Sequence, residues 1–147
     1  MWRSFAFLFC LAVLASPGCK KDFQKTNGQG KDTQTNSSTY ISWKACSQTN
    51  YGNDLVDICF DSLLEDSRCP MEVECFWRGT AVAKFSFSVN NNEQDITLSL
   101  FNLPGIYPSD TVLMGYKIEF LDLKPYPQIN VERKPSDYTA EVRITKQ

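Results

Sequence analysis

The chain contains no histidine, no glycine-rich phosphate loop and no apolar run long enough to span a bilayer. Each gap removes a class of chemistry. Without histidine, the familiar serine and cysteine nucleophile arrangements lose their usual base, and mixed Cys/His metal sites cannot form. Without a glycine cradle ahead of a helix, the nucleotide-binding fingerprints are excluded. The longest apolar run, Phe5 to Ala15, is eleven residues, where a transmembrane helix needs about 20. Basic charge is not in excess either. Fifteen Lys and Arg face 17 Asp and Glu, with no basic stripe, so nucleic acid is excluded as a partner. No cofactor and no metal site is expected.

What is present begins at the amino terminus. Met1-Trp2-Arg3 is a short positive segment ahead of the apolar run, the pattern of an export signal. Ser16-Pro17-Gly18-Cys19 then resembles a lipobox, the cleavage and lipidation signal of bacterial lipoproteins. Pro17, at its middle position, departs from the usual pattern. The resemblance implies a signal peptide over 1–18 and acylation, palmitate included, at Cys19. Two or more acyl chains hold a protein stably on a bilayer where one is marginal. The implied location is the bacterial cell envelope, with the chain anchored to the outer membrane and facing the periplasm or the exterior. The competing reading is ordinary secretion, with a cut near Ala15–Gly18 and a free thiol at Cys19.

Residues 19–39 are almost wholly Lys, Asp, Asn, Gln, Gly, Ser and Thr, with Phe23 the one large apolar side chain. Such a composition buries too little surface to offset ordering entropy. It reads as a flexible tether, about 25 Å root-mean-square over some twenty residues. Lys20 and Lys21 stand beside the membrane; the plain reading is a solubilising spacer.

Six cysteines are present. Cys10 leaves with the signal and Cys19 takes the lipid. Cys46, Cys59, Cys69 and Cys75 remain, an even number in an exported domain, which reads as two disulfides. A hairpin joining the runs that hold Cys46 and Cys59 would pair those two, leaving Cys69 with Cys75. The other two pairings of four cysteines remain open.

The centre of the sequence is Arg68-Cys69-Pro70-Met71-Glu72-Val73-Glu74-Cys75-Phe76-Trp77-Arg78-Gly79. The C-x5-C spacing is too wide for a zinc knuckle. Closing a loop of about seven residues removes about 2.4 kcal/mol of unfolded-state entropy. Pro70 fixes φ and lacks an N–H, which suits the start of a tight loop. Trp77 is expected as a core anchor beside the disulfide, as in many β-sandwiches, with an exposed stacking platform as the sharper alternative. Gly79 is expected at a bulge or a close backbone approach. Asp66 and Arg68 are expected to form a local ion pair, worth little if exposed. The stretch Asp66-Ser67-Arg68-Cys69-Pro70, with Val73, Cys75, Trp77 and Gly79, resembles the D-S-R-C-P-x2-V-x-C-x-W-x-G segment of a group of small uncharacterised bacterial lipoproteins. That resemblance implies an exported β-domain and transfers no catalytic residue.

From Tyr40 to Gln147 the apolar pattern has period two. Tyr40 begins a strand ending near Cys46, and Gln48 to Asn53 is turn chemistry. Val56-Ile58-Phe60, Ala81-Ala83-Phe85-Phe87-Val89, Ile96-Leu98-Leu100, Tyr116-Ile118-Phe120 and Tyr138-Ala140-Val142-Ile144 alternate with polar neighbours. Only Leu63 to Asp66 suggests a helical turn. Prolines fall between these runs. The expectation for 40–147 is one all-β domain, an antiparallel β-sandwich or open barrel of about six to seven strands, stapled by disulfides.

For function, the carboxylates Asp61, Glu65, Asp66, Glu72 and Glu74 could in principle run glycoside hydrolysis or bind calcium. Loop carboxylates are more often solvated charge, and no catalytic residue is assigned. Phe101 to Pro108, with Tyr107, and Lys124 to Gln128, with Tyr126, are aromatic, proline-rich loops. They either form a binding surface or fold back over the ends of the core. The expected function is non-enzymatic: a membrane-anchored binding or scaffolding domain with an unknown protein or glycan partner. The alternative is a small inhibitor or immunity-type protein that inserts the Cys69–Cys75 loop into its target. A carboxylate-dependent glycan hydrolase is the third reading.

Overall fold

In a computed structural model, residues 37–102, 105 and 107–147 are described. The signal segment, Cys19 and most of the tether lie outside them. The alternating pattern folds into eight strands: β1 Ser38–Ser42, β2 Cys46–Tyr51, β3 Asp54–Asp66, β4 Ala81–Val89, β5 Asn92–Ser99, β6 Asp110–Leu113, β7 Tyr116–Lys124 and β8 Thr139–Lys146. A single 3-10 turn, Pro135–Asp137, precedes β8. They form two four-stranded antiparallel sheets, in the orders β1-β8-β7-β6 and β2-β3-β4-β5. The domain is thus a β-sandwich.

Period two places one face of each central strand inside. Val56, Ile58 and Phe60 of β3 and Ala83, Phe85 and Phe87 of β4 meet Tyr116, Ile118, Phe120 and Leu123 of β7 and Ala140, Val142 and Ile144 of β8. Phe85 packs edge-to-face on Phe120 across the two sheets, with centroids 5.3 Å apart. Phe60, Phe85 and Phe87 are fully buried, each contributing about 1.5–3 kcal/mol of apolar transfer.

Three expectations are corrected, and one strand was not anticipated. The segment from Tyr40 to Cys46 is not one strand. The chain leaves β1, crosses to the other sheet and starts β2, with Lys44 at φ 61°. The Trp43 and Lys44 amides donate to the Tyr138 and Phe60 carbonyls at 3.0 and 2.8 Å. Apolar alternation runs unbroken through the crossing, so the sequence does not mark it. Gln48 to Tyr51 is strand, not turn, because β2 is an edge strand whose outer face needs no apolar residue. Leu63 to Asp66 continues β3. Register shifts at Phe60/Ser62 and Leu63/Glu65 break period two there, and an inserted bulge residue mimics helical spacing. β6, a four-residue edge strand, carries too short a pattern to be read from sequence.

β1 begins at Ser38, ahead of Tyr40. Ser38 and Thr39 pair with Arg143 and Val142 of β8, and the Thr39 and Ser47 hydroxyls meet at 3.2 Å.

The two ends of the sandwich are unlike. At one end, two-residue turns join β2 to β3, β4 to β5 and β6 to β7. Asn90-Asn91 and Met114-Gly115 both hold two consecutive positive φ angles, the backbone that matches the twist of paired strands. Met114 is an unusual residue for that position, held because its side chain packs on the core. The opposite end carries the segments 43–45, 67–80, the described residues of 100–109 (100–102, 105 and 107–109) and 125–138. β1 runs toward this long-loop end, so the chain arrives from the hairpin side.

Candidate binding surface at the long-loop end

The long-loop end is built on Arg68. Its residue exposure is 4%, and a buried guanidinium needs its donors satisfied. Arg68 Nε and Nη2 donate to the two carboxylate oxygens of Asp66, each at 2.7 Å. This is the bidentate fork that suits arginine and carboxylate. Nη1 donates to the Leu123 carbonyl and Nη2 also to the Pro125 carbonyl at 3.1 Å. The Tyr126 ring lies over the guanidinium at 4.8 Å. One arginine therefore joins the end of β3 to the end of β7, in the other sheet. The local Asp66–Arg68 ion pair is present, and it is buried and also clamps the two sheets together. Tyr138 packs beside it, and burial first, then the Asp66 carboxylate, push its phenol pKa up.

Gly79 makes the close approach expected of it. Its φ is +66°, and a Cβ would stand 1.8 Å from the Ser67 carbonyl oxygen. The Ser67 amide donates to the Thr80 carbonyl at 2.8 Å, closing the base of the loop. Pro70 is half-buried and its carbonyl accepts from the Val73 amide at 3.3 Å. Cys69 and Cys75 are disulfide-bonded, with Cα atoms 5.9 Å apart. The loop is also tied to its neighbour. The Met71 amide donates to the Pro127 carbonyl at 3.2 Å, and the Ile129 amide to Glu72 Oε2 at 3.2 Å.

Trp77 is not a core anchor. It is 75% exposed, and Phe76 beside it is 98% exposed. The place beneath the loop is taken by Arg68 and Tyr126, so neither ring is needed to fill it. The two rings meet edge-to-face at 5.9 Å and 87°. Met71, Val73, Tyr126, Ile129 and Val131 are exposed on the same pair of loops. Tyr107 is half-exposed in the 100–109 segment, which Ser99 holds by donating its hydroxyl to the Tyr107 and Phe101 carbonyls. The Arg78 guanidinium sits 3.5 Å over the Phe101 ring, drawing that segment against the disulfide loop. The structure thus brings Arg68, Pro70, Trp77, Gly79, Tyr107 and Tyr126 to one end of the molecule. Phe76, Met71 and Ile129 were not singled out by sequence. The adjacent aromatics Phe76-Trp77, which break alternation outside any strand, were the available signal.

The second disulfide joins Cys46 to Cys59, directly opposed residues of β2 and β3. With Asp57, Ser86, Ser88 and Glu93 it lines a shallow depression of about 290 Å³ on the outer face of that sheet. The carboxylates considered for hydrolysis are spread out. Asp66 is held by Arg68, Glu72 reaches the Ile129 amide, and Asp61 accepts from the Ser86 hydroxyl at 2.5 Å on the outer sheet face. Among the described residues, no group of three or more His, Cys, Asp or Glu side chains is placed to hold a metal ion.

The fold and this end define an antiparallel β-sandwich with a clamped, aromatic loop end. No family model, curated protein or solved structure matches the chain.

Proposed function

We propose that the protein is a lipoprotein of the bacterial cell envelope, acylated at Cys19 and anchored to the outer membrane. In this reading the sandwich is a non-enzymatic domain that makes contacts through its long-loop end. The observation that carries the reading is the exposure of Phe76 and Trp77 directly after a disulfide-closed loop that a buried arginine braces. Exposed aromatics on a rigid support lose little freedom on binding, and large aromatic side chains dominate contact energies. The export signal and the Ser16-Pro17-Gly18-Cys19 segment support the anchoring.

The test is site-specific photo-crosslinking in the native cells. Phe76→p-benzoylphenylalanine should form adducts with an envelope component, while the same residue at exposed Glu93, near the hairpin end, should not. Equal labelling at both positions, or at neither, would remove the long-loop end from the function. The inhibitor reading shares this surface and is favoured by one observation, the protruding Cys69–Cys75 loop. A single protein adduct at position 76, with inhibition of that protein lost in Phe76→Ser, would select it.

A further inference from the structure

We infer that the exposed apolar tip of the 67–80 segment, Phe76 and Trp77 just beyond Cys75 with Met71 and Val73 inside the disulfide ring, docks into the interfacial region of the bilayer that anchors the chain. The inference deepens the reading of the long-loop end as a contact surface, and its choice of bilayer rests on acylation at Cys19. Four observations carry it.

The tip is apolar and outward. Phe76 is 98% exposed, and a tip of this kind enters a soft medium without needing a shaped cleft. The two rings stand at 87° to one another, which suits insertion side by side and not a flat face for stacking a sugar. Tryptophan is enriched at the headgroup level of membranes because its ring is apolar with one polar N–H.

Charge is also unequal. Apart from the buried Arg68–Asp66 pair, the four long-loop segments hold four cations, Lys44, Arg78, Arg133 and Lys134, and four anions. The rest of the described domain holds five cations and ten anions. An anionic bilayer therefore repels the sheets and hairpin end and tolerates the loop end. Glu72 turns back to the Ile129 amide; Glu74 remains in the loop, so docking rests on apolar insertion and depends only weakly on salt.

Reach permits it. The chain from Cys19 to Ser38 can extend on the order of 65 Å, while β3, the longest strand, spans about 43 Å. The sandwich can therefore turn its loop end to the membrane although β1 starts from the hairpin side. A short linker holds the tip at an effective concentration in the millimolar range, so weak insertion is sufficient.

The experiment uses the mature chain in two forms and vesicles of phosphatidylethanolamine and phosphatidylglycerol carrying brominated acyl chains. The Cys19→Ser chain should bind the vesicles with its Trp77 emission blue-shifted and quenched. Phe76→Ser with Trp77→Ser should weaken binding at least about tenfold, and Trp77→Phe reports the background from Trp43. In the lipidated chain, quenching of Trp77 should not change when vesicles are diluted. Quenching that falls with dilution would overturn the assignment to the anchoring bilayer. Unquenched Trp77 in a chain retained on vesicles would overturn docking altogether and leave the tip to a protein. Failure of acylation would appear separately, as an intact mass of the mature chain without added acyl groups, with the soluble arm still informative.

Discussion

The hairpin end and the long-loop end of this sandwich solve one problem differently. Each must tie one sheet to the other where the ladders stop. At the hairpin end the tie is Asp54 of β3, which accepts from Tyr116 of β7 at 2.7 Å and from Lys146 of β8 at 2.8 Å. Asn90 adds a bond at 3.0 Å, and Tyr51 donates to the Ile144 carbonyl at 3.1 Å. Tyr116 is buried, while Asn90 and Lys146 are exposed and Asp54 is partly so, and the turns between strands are two residues long. At the other end the tie is Arg68, buried under Tyr126 and bonded to backbone carbonyls of the opposite sheet. A buried clamp lets long loops stand on a fixed base, and those loops carry the exposed aromatics. The hairpin end is built to close the fold; the loop end is built to present side chains.

The largest effect expected from this contrast is at Arg68. Arg68→Ala leaves the Asp66 carboxylate buried without its partner, a loss of about 3–5 kcal/mol, measurable by denaturant unfolding. Adding Asp66→Asn should restore part of it, since the two residues act as a unit. Gly79→Ala acts on the same base: positive φ and the clash with Ser67 should cost more than about 1 kcal/mol.

The disulfides come next. Cys46→Ser with Cys59→Ser should cost about 3 kcal/mol and Cys69→Ser with Cys75→Ser about 2.4 kcal/mol on the loop-closure argument. Calorimetry should therefore order the two variants. A larger loss from the Cys69–Cys75 pair would mean that the loop is part of the core.

At the hairpin end the readout is pH. Hydrogen bonds from Lys146, then Tyr116, then Asn90 lower the Asp54 pKa from 3.8 to about 2. The folded state therefore holds this proton less tightly than the unfolded chain. The stabilisation is fully present above pH 4 and is lost as pH falls from about 4 to about 2. Asp54→Asn should flatten that part of the stability profile and leave the loop end unchanged, as followed by Trp77 emission.

Much of the frame was legible because period two is a strong signal where both sheets bury a face. Val56-Ile58-Phe60 and Ala81 to Val89 could hardly be anything but strands. The Cys46–Cys59 pairing followed from the hairpin that those strands require. The failures have physical causes. Lys44 turns the chain between sheets with no glycine to mark it. β2 is an edge strand without an apolar face. The bulges in β3 disguise strand as helix. At the loop end, the residues Arg68, Pro70, Trp77 and Gly79 were identified but two of their roles were exchanged. A buried arginine plugs the loop base, and the tryptophan stands outside. Sequence composition places charge outside and rings inside, and only the bidentate bond to Asp66 with two spare backbone carbonyls makes the reverse stable.

The smallest expected stability effect tests the central claim most directly. Phe76→Ser with Trp77→Ser should leave unfolding free energy within about 0.5 kcal/mol of the parent chain, because both rings are exposed. The same variant should lose the envelope contact read by crosslinking from exposed Met71. A destabilisation of several kcal/mol, or a contact that survives both substitutions, would contradict a loop end built for presentation.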